Sequence, residues 1–506
     1  MNIKDITPKL SVSSQIAVED IARIADLGFR TLINNRPDKE SDDQPLSLQL
    51  AEEAKQHNLQ YRHMPVIAGK IGYDDVEDHA EALATLPGPV LAFCRTGTRS
   101  ITLWAVHEAS TADVDGIVGI VANAGFEVEA LRPRLQAVAN GALVAPTKAQ
   151  SHAYDVVIVG GGSAGIATAA SLLRRHSDLD IAVVEPRERH YYQPGFTLAG
   201  RGVYDQSQLV SETADVMPSG VKWIRSAAAA FEPEKNRVIL EGGDRLSYRQ
   251  LVVAPGIKLD WDAIPGLRES LGWNGVTSNY RRDLTRYTWD QVQQLREGRA
   301  IFTQAPMPIK CAGAPQKAMY LSCDYWLREG VLKNLTVDFF NAGEVLFGVN
   351  TYVPALMEYV DKYGANLNFS QNLAEIDGSA RKAWFDQTTA DGSKIRKEVE
   401  FDFIHVCPPQ TAPDLIRNSP LAGASGWIDV SPETLRHQHF DNIFGLGDAC
   451  SAPNAKTMAA ARKQAPVVAE NVIAALADKE PSAAYDGYGS CPLTVEAGKV
   501  VLAEFG

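Results

Sequence analysis

The sequence predicts an α/β chain in two parts, a small N-terminal unit with a cysteine loop and a larger unit built twice on parallel sheets. Three observations predict it. The apolar strand Val156-Val157-Ile158-Val159 runs straight into Gly160-Gly161-Gly162-Ser163-Ala164-Gly165 and then into an alanine-rich helix. Further along, Ala300-Ile301-Phe302-Thr303 and Thr336-Val337-Asp338-Phe339-Phe340 read as the first two strands of a second unit of the same kind. Ahead of both, a buried-type strand ends at Cys94, in Cys94-Arg95-Thr96-Gly97-Thr98-Arg99-Ser100, and a helix follows.

Composition narrows the function. A chain of 506 residues has room for two to four domains, and 45% hydrophobic with 22% charged residues is ordinary for a globular protein. A net charge of -13 with no basic stripe excludes a nucleic-acid partner. Six cysteines with no C-x-x-C make neither a disulfide scaffold nor an expected metal site. A few reactive thiols in an intracellular protein is the better reading. Met1-Asn2-Ile3-Lys4-Asp5 lacks the apolar core of a secretory signal, and no run approaches the ~18 to 20 apolar residues of a spanning helix. The expected location is cytoplasmic, with peripheral attachment to the inner face of a membrane as the furthest contact.

Residues 1–141 form the front domain. Ile21 to Leu27 are amphipathic and Gly28 serves as the helix C-cap; Arg30 to Asn34 form a short strand; Pro87-Gly88-Pro89 turns into the strand ending at Cys94; and a helix containing Leu131-Arg132-Pro133 closes the domain. Residues 142–153 are aperiodic, small and polar, and read as a linker. The rest, 154–506, divides into a dinucleotide-binding part at 154–285 and 405–506 and a second such fold at about 286–404.

Gly160, Gly162 and Gly165 fit G-x-G-x-x-G in its strand-to-helix context: a tight turn, a close approach to pyrophosphate, and helix packed on sheet. Ser163 and Ala164 open the helix whose N-terminal amides face the phosphates. The strand Ile181-Ala182-Val183-Val184 ends at Glu185, twenty residues past Gly165, where a carboxylate accepts ribose hydroxyls and repels a 2'-phosphate. Asn442-Ile443-Phe444-Gly445-Leu446-Gly447-Asp448 resembles the ribityl-binding motif of FAD-dependent disulfide-reductase-like enzymes. Leu251-Val252-Val253-Ala254-Pro255-Gly256 resembles their second signature, with Pro255 in place of threonine and Gly256 as the cofactor-side glycine. Their order favours FAD as cofactor. The second unit has no glycine turn. Pro306-Met307-Pro308-Ile309-Lys310-Cys311-Ala312-Gly313-Ala314-Pro315 stands there instead, which disfavours NAD(P)H as electron donor.

Lys310 to Lys317, Glu185 to Pro194 and Tyr485 to Leu493 resemble the sulfide:quinone oxidoreductase family in its mitochondrial-type branch, over essentially all of Tyr154 to Phe505. The resemblance implies that Cys311 and Cys491 form a redox pair beside a non-covalent FAD, with Gln193, Ala228, Asp448 and Lys456 as further contacts. It implies that hydrosulfide opens the cysteine bridge and leaves a persulfide, and that the thiolate, assigned to Cys311, passes two electrons to the flavin. The partners it implies are sulfide, a quinone, and a small sulfur acceptor such as glutathione, sulfite or sulfide. Lys310 and the local helix N-terminus are expected to favour the thiolate. Cys323 and Cys407 read as core residues, and Cys450 as core or as a third sulfur relay. Mitochondrial-type members continue past the position of Phe505-Gly506 with a segment that docks on the bilayer, which leaves the membrane and quinone contacts to another element or to residues beyond Gly506.

Strand, Cys94 loop and helix together form an anion cradle in which backbone amides face the sulfur. The surrounding order, with Leu10 to Ser13 and Asn34-Asn35-Arg36, resembles dual-specificity phosphatases. Those enzymes place an arginine six residues after the cysteine, where this chain has Ser100, and Arg99 comes one residue early. The shorter loop is similar to that of rhodaneses, and the domain resembles the phosphatase-like sulfurtransferases found fused to sulfide-metabolising enzymes. The expectation is a sulfane sulfur on Cys94, with Arg95 and Arg99 orienting an anionic donor or acceptor. The alternative is an NADH-dependent quinone or disulfide reductase with a protein phosphatase in front.

Overall fold

The computed structural model describes residues 2–506 apart from 39, 42, 68–70, 72, 128, 140–152, 242, 390–392 and 454. The main division between its two compact units falls at residues 152 and 153. The expected linker therefore lies outside the described residues, except for Ala153.

In the front unit a five-stranded sheet runs in the order Ile3–Asp5, Leu10–Ser13, Val90–Phe93, Thr31–Asn34, Gln60–His63. The first pair is antiparallel and the other pairs are parallel. Val90 to Phe93 are apolar without interruption because both faces are covered. Val90 and Ala92 join Val12, Ile33 and Ile101 on one side. Leu91 and Phe93 join Leu32, Ile21 and Ile24 on the other. This alternation fixes the register, and it delivers Cys94 at the sheet's C-terminal edge, where the next helix, Thr98–Glu108, begins. The expected helix runs Asp20–Asp26, with Gly28 at φ +92° just beyond it.

The larger unit holds two parallel sheets. The first aligns Val221–Ile224, Ile181–Val184, Tyr154–Val159 and Arg245–Val253, with Ile443–Gly445 pairing along the last of these. The second runs in the order Val276–Thr277, Phe403–His405, Gly298–Gln304, Leu335–Asn341, Asn366–Phe369. The chain enters the first sheet, leaves for the second, and returns at Ile443, so both sheets depend on segments distant in sequence.

A C-terminal hairpin, Gly489–Glu496 with Lys499–Phe505, completes the unit. Its inward residues Cys491, Leu493, Val495 and Ala503 share a core with Ala318, Met319 and Cys323 of the helix Ala314–Arg328. Gly487, Gly489 and Pro492 around Cys491 would suit a loop near the C-terminus. The structure puts Cys491 inside a strand, with Pro492 on the exposed face and Gly498 at φ +80° in the reversal. Burying an aliphatic side chain such as Leu493 or Val495 stabilises the docked hairpin by ~1.5–3 kcal/mol each.

Candidate active site

The loop that replaces the second glycine turn is tied to the rest of the unit through its backbone. Cys311 N–H donates to Lys456 O at 2.9 Å, Lys310 N–H donates to Gln410 Oε1 at 2.8 Å, and Tyr280 Oη donates to Lys310 O at 3.2 Å. Cys311 adopts φ +54°, a left-handed conformation that turns the chain into the helix Ala314–Arg328. Its Sγ lies 3.6 Å from Cys491 Sγ, although 180 residues separate the two. Gly313 permits this approach, because a Cβ there would stand 2.6 Å from Cys491 Sγ.

The hydrogen bond from Cys491 holds the Cys311 thiol well below its ordinary value, against the effect of burial, and the Lys317 ammonium adds to this. Cys491 moves the other way, raised by the same hydrogen bond and by burial. The two shifts run in opposite directions, so negative charge is favoured on Cys311 over Cys491. Lys317 Nζ donates to Cys311 Sγ at 3.4 Å, whereas Lys310 Nζ donates to Gln193 Oε1. The sequence reading named Lys310 as the lysine favouring the thiolate, and the structure corrects this to Lys317. Neighbouring position in the sequence suggested Lys310, but side chains on a helix lean toward its N-terminus, so Lys317, one turn in, reaches back over the loop.

The remaining thiols are buried. Burial pushes Cys407 up to about 11, and Gln410 Nε2 lies 3.9 Å from its sulfur. Cys323 sits in the helix core, and Cys450 Sγ donates to Gly447 O at 3.3 Å.

The glycine turn after Val159 has the two tight glycines and the open one that a dinucleotide needs. A Cβ at Gly160, where φ is +108°, would lie 2.3 Å from Ala254 O, and one at Gly165 would lie 1.9 Å from Gly160 O. At Gly162 nothing stands within 4 Å, so backbone is open to an incoming pyrophosphate. Glu185 is fixed beside this turn, with Oε2 accepting from Gly161 N–H and Oε1 from Arg187 N–H, both at 2.9 Å. The C-terminal motif meets the same turn, since a Cβ at Gly447 would come 3.1 Å from Ala164 Cβ. Gly256 is likewise open, at φ +83°.

Asp448 follows in a short turn of helix, and burial raises its carboxyl while Lys456 and Lys310 pull it down. Lys456 Nζ donates to Asp448 O at 2.7 Å. Through Lys456 O and Gln193 the cysteine loop is thus bonded to residues expected to hold the cofactor. Ser163 begins the helix after the turn, and Ala228 begins the strand Ala228–Glu232 at the edge of the same core.

In the front unit Cys94 is fully buried, and its sulfur accepts from Gly97 N–H at 3.1 Å. Gly97 has φ +90° and caps the following helix. Arg95 is exposed at the loop. Arg99 is only 7% exposed and is committed elsewhere: its guanidinium donates to Glu40 Oε2 and to Val66 O, both at 2.8 Å. Arg36 holds the same Glu40 oxygen at 2.7 Å.

Comparisons with known proteins agree with this division. Residues 2–111 match the family model described as Beta-lactamase hydrolase-like protein, phosphatase-like domain. Residues 154–298 match Pyridine nucleotide-disulphide oxidoreductase. The chain is 39% identical over 357 residues to the mitochondrial sulfide:quinone oxidoreductase of Mus musculus, covering 71% of this chain and 79% of the relative. It is 40% identical to that of Dictyostelium discoideum, covering 69% and 77%. The crystallised sulfide:quinone oxidoreductase of Aquifex aeolicus shares the fold, with a TM-score of 0.60 at 19% identity over 70% of this chain and 87% of that one.

The first two relatives are named mitochondrial, which overturns the cytoplasmic expectation. Few cysteines and no C-x-x-C do not distinguish the cytoplasm from a mitochondrion. Among the described residues no helix is long and apolar enough to cross a membrane. Identity at this level across more than three quarters of each relative, with the glycine turn, the acid and the C-terminal motif assembled on one sheet, means that the chain belongs to the sulfide:quinone oxidoreductase family of flavin-dependent enzymes.

Proposed function

We propose that the large unit oxidises sulfide at a Cys311–Cys491 bridge next to FAD and delivers the electrons to a quinone, and that the front unit moves the resulting sulfane sulfur through Cys94. The observation that carries this reading is the 3.6 Å approach of two sulfurs 180 residues apart, with the Lys317 ammonium hydrogen-bonded to one of them. Closing to a bond of ~2.05 Å needs a shift of about 1.5 Å, within the reach of side-chain rotation.

In the oxidised pair, hydrosulfide attacks one sulfur, leaves a persulfide there and releases the other as thiolate. A small nucleophile, glutathione, sulfite or a second sulfide, then takes the outer sulfur. Gly160, Gly162, Ser163, Ala164, Gly165, Glu185, Gln193, Ala228, Gly256, Asp448 and Lys456 would hold FAD, which when bound would supply two-electron transfer between the cysteine pair and the quinone. The chain's own part is to hold the two sulfurs in reach, exclude water from them and bias the charge between them. Anaerobic sulfide should bleach the flavin in the wild type, a quinone analogue should restore it, and Cys311→Ser or Cys491→Ser should abolish both. Rapid bleaching by NADH, with sulfide inert, would establish the reductase alternative.

For the front unit, the buried Cys94 accepting from Gly97 N–H supports sulfur carriage, and with Arg99 bonded to Glu40 the exposed Arg95 is the loop cation better placed to meet an anion. The phosphatase-like family match favours a second reading, phosphate-ester hydrolysis. Transfer of sulfur from thiosulfate to cyanide that Cys94→Ser removes supports the first. Hydrolysis of an aryl phosphate with no sulfur transfer supports the second.

A further inference from the structure

Three lysines stand around the cysteine pair, and their ammonium groups go in three directions. Lys310 Nζ donates to Gln193 Oε1. Lys456 Nζ donates to the carbonyls of Asp448 and Cys450, at 2.7 and 3.1 Å, and lies 3.9 Å from the centre of the Trp427 ring. Lys317 Nζ donates to Cys311 Sγ at 3.4 Å. Cys491 is buried in the apolar cluster of Leu493, Val495 and Ala503, and Cys311 packs against the edge of the same cluster. The two sulfurs touch, and among the described residues the ammonium hydrogen bond goes to Cys311 and not to Cys491.

We propose that Lys317 is a catalytic residue whose ammonium stabilises the Cys311 sulfur as the thiolate that leaves when hydrosulfide attacks Cys491. The inference rests on the sulfide-oxidation reading above, in which Cys311 is already the thiolate, and names the residue that sets that polarity. In thiol–disulfide exchange the sulfur that leaves is the one whose negative charge is better stabilised. A charge-assisted hydrogen bond from a buried ammonium supplies that stabilisation to one sulfur of the two.

The step balances without a further reagent. The hydrosulfide sulfur forms a bond to Cys491 Sγ while the Cys311–Cys491 bond breaks. The broken bond's electron pair stays on Cys311 Sγ, facing Lys317, and the hydrosulfide proton stays on the outer persulfide sulfur. Sulfide is oxidised by two electrons, the bridge is reduced by two, and Lys317 keeps its proton. Burial lowers the Lys317 ammonium, but in the reduced pair the Cys311 and Cys491 groups outweigh it, so the charge that develops on Cys311 as the bridge opens is the one that favours the ammonium. Other titratable groups face the pair from the packed segments: Lys310, Asp448, Lys456, Tyr280, Cys407 and Tyr192. Their contribution is common to the wild type and the Lys317 variants, so comparing them isolates the ammonium.

Two measurements on the full-length protein test it. In the first, the reduced protein is alkylated with iodoacetamide across pH and the modified cysteines are mapped by mass spectrometry. Lys317→Met should slow Cys311 alkylation at neutral pH about tenfold and move its midpoint to higher pH, while Lys317→Arg stays within about threefold. Should the Met variant fail to fold, Lys317→Gln, of similar length, carries the same expectation. In the second, the oxidised protein receives one equivalent of sulfide anaerobically and the persulfide is trapped and mapped. It should sit on Cys491 in the wild type and spread to Cys311 in the Lys317→Met protein. A wild-type alkylation profile in the Lys317→Met and Lys317→Gln proteins, or a wild-type persulfide on Cys311, overturns the proposal. Cys311→Ser and Cys491→Ser proteins that still oxidise sulfide would instead overturn the underlying reading, so the two failures are distinguishable.

Discussion

Gly313 and Cys311 carry unusual constraints for single residues. The left-handed backbone at Cys311 costs a non-glycine residue ~1 kcal/mol, which the hydrogen bond from Cys311 N–H to Lys456 O and that from Ala314 N–H to Cys311 O offset. Gly313 has no such conformational need; it is small because Cys491 Sγ occupies the space a methyl would take. Gly313→Ala should therefore push the sulfurs apart and slow reoxidation of the dithiol about tenfold or more, with flavin content unchanged. A thiol titration that returns the wild-type rate would show that the close approach is dispensable. Both cysteines were legible in the sequence through their flanks, Lys310 to Lys317 and Tyr485 to Leu493. Lys317 lay in the same stretch but was passed over for Lys310, because only the helix that starts at Ala314 decides which lysine folds back on the sulfur. Arg99 was misread for a related reason: the loop spacing offers it to an anion, while Glu40, contributed by a distant segment, already occupies its guanidinium.

At the scale of elements, the glycine turn is the part most fully written in the sequence. Strand, turn, helix and terminal acid are local, and each glycine answers a local requirement. Gly160→Ala must place its Cβ 2.3 Å from Ala254 O at a φ of +108°, so the turn has to open. The expected outcome is loss of bound flavin, read as the ratio of visible to ultraviolet absorbance, and a lower melting temperature.

The strand Phe403–His405 gives a pH prediction. His405 Nε2 accepts from Asn279 N–H at 2.9 Å, so the ring is neutral, and burial lowers it to about 4. An unfolded histidine titrates near ~6.5. The folded value is depressed, so this contribution is complete above about 6.5 and is lost as pH falls toward 4. The urea midpoint of the large unit should drop between pH 7 and pH 5, and His405→Gln should flatten that dependence while lowering stability at pH 7. An unchanged slope in the variant would assign the acid limb to other groups. The C-terminal hairpin was the element least legible. Its inward alternation of Cys491, Leu493 and Val495 is short, and Pro492 and three glycines nearby carry the signature of a turn. The core it packs on, around the helix Ala314–Arg328, comes from far upstream.

For the whole molecule, two compact units on either side of residue 153 predict separable activities. A protein starting at Ala153 should bind flavin and be reduced by sulfide at the wild-type rate, while residues 2–139 should melt as an independent unit. Loss of flavin from the shortened protein would count against that independence. The order of domains was readable because each begins with its own strand and turn. The compartment was not, since net charge and cysteine count say only that secretion is disfavoured. The hairpin has a further consequence for how the protein is made. Because Cys491 lies 180 residues beyond Cys311, a chain released from the ribosome before the hairpin is made already has its glycine turn, its acid and its first sulfur, yet lacks the partner that the proposed pair requires. Products that stop short of Cys491 are therefore expected to be silent toward sulfide rather than partly active.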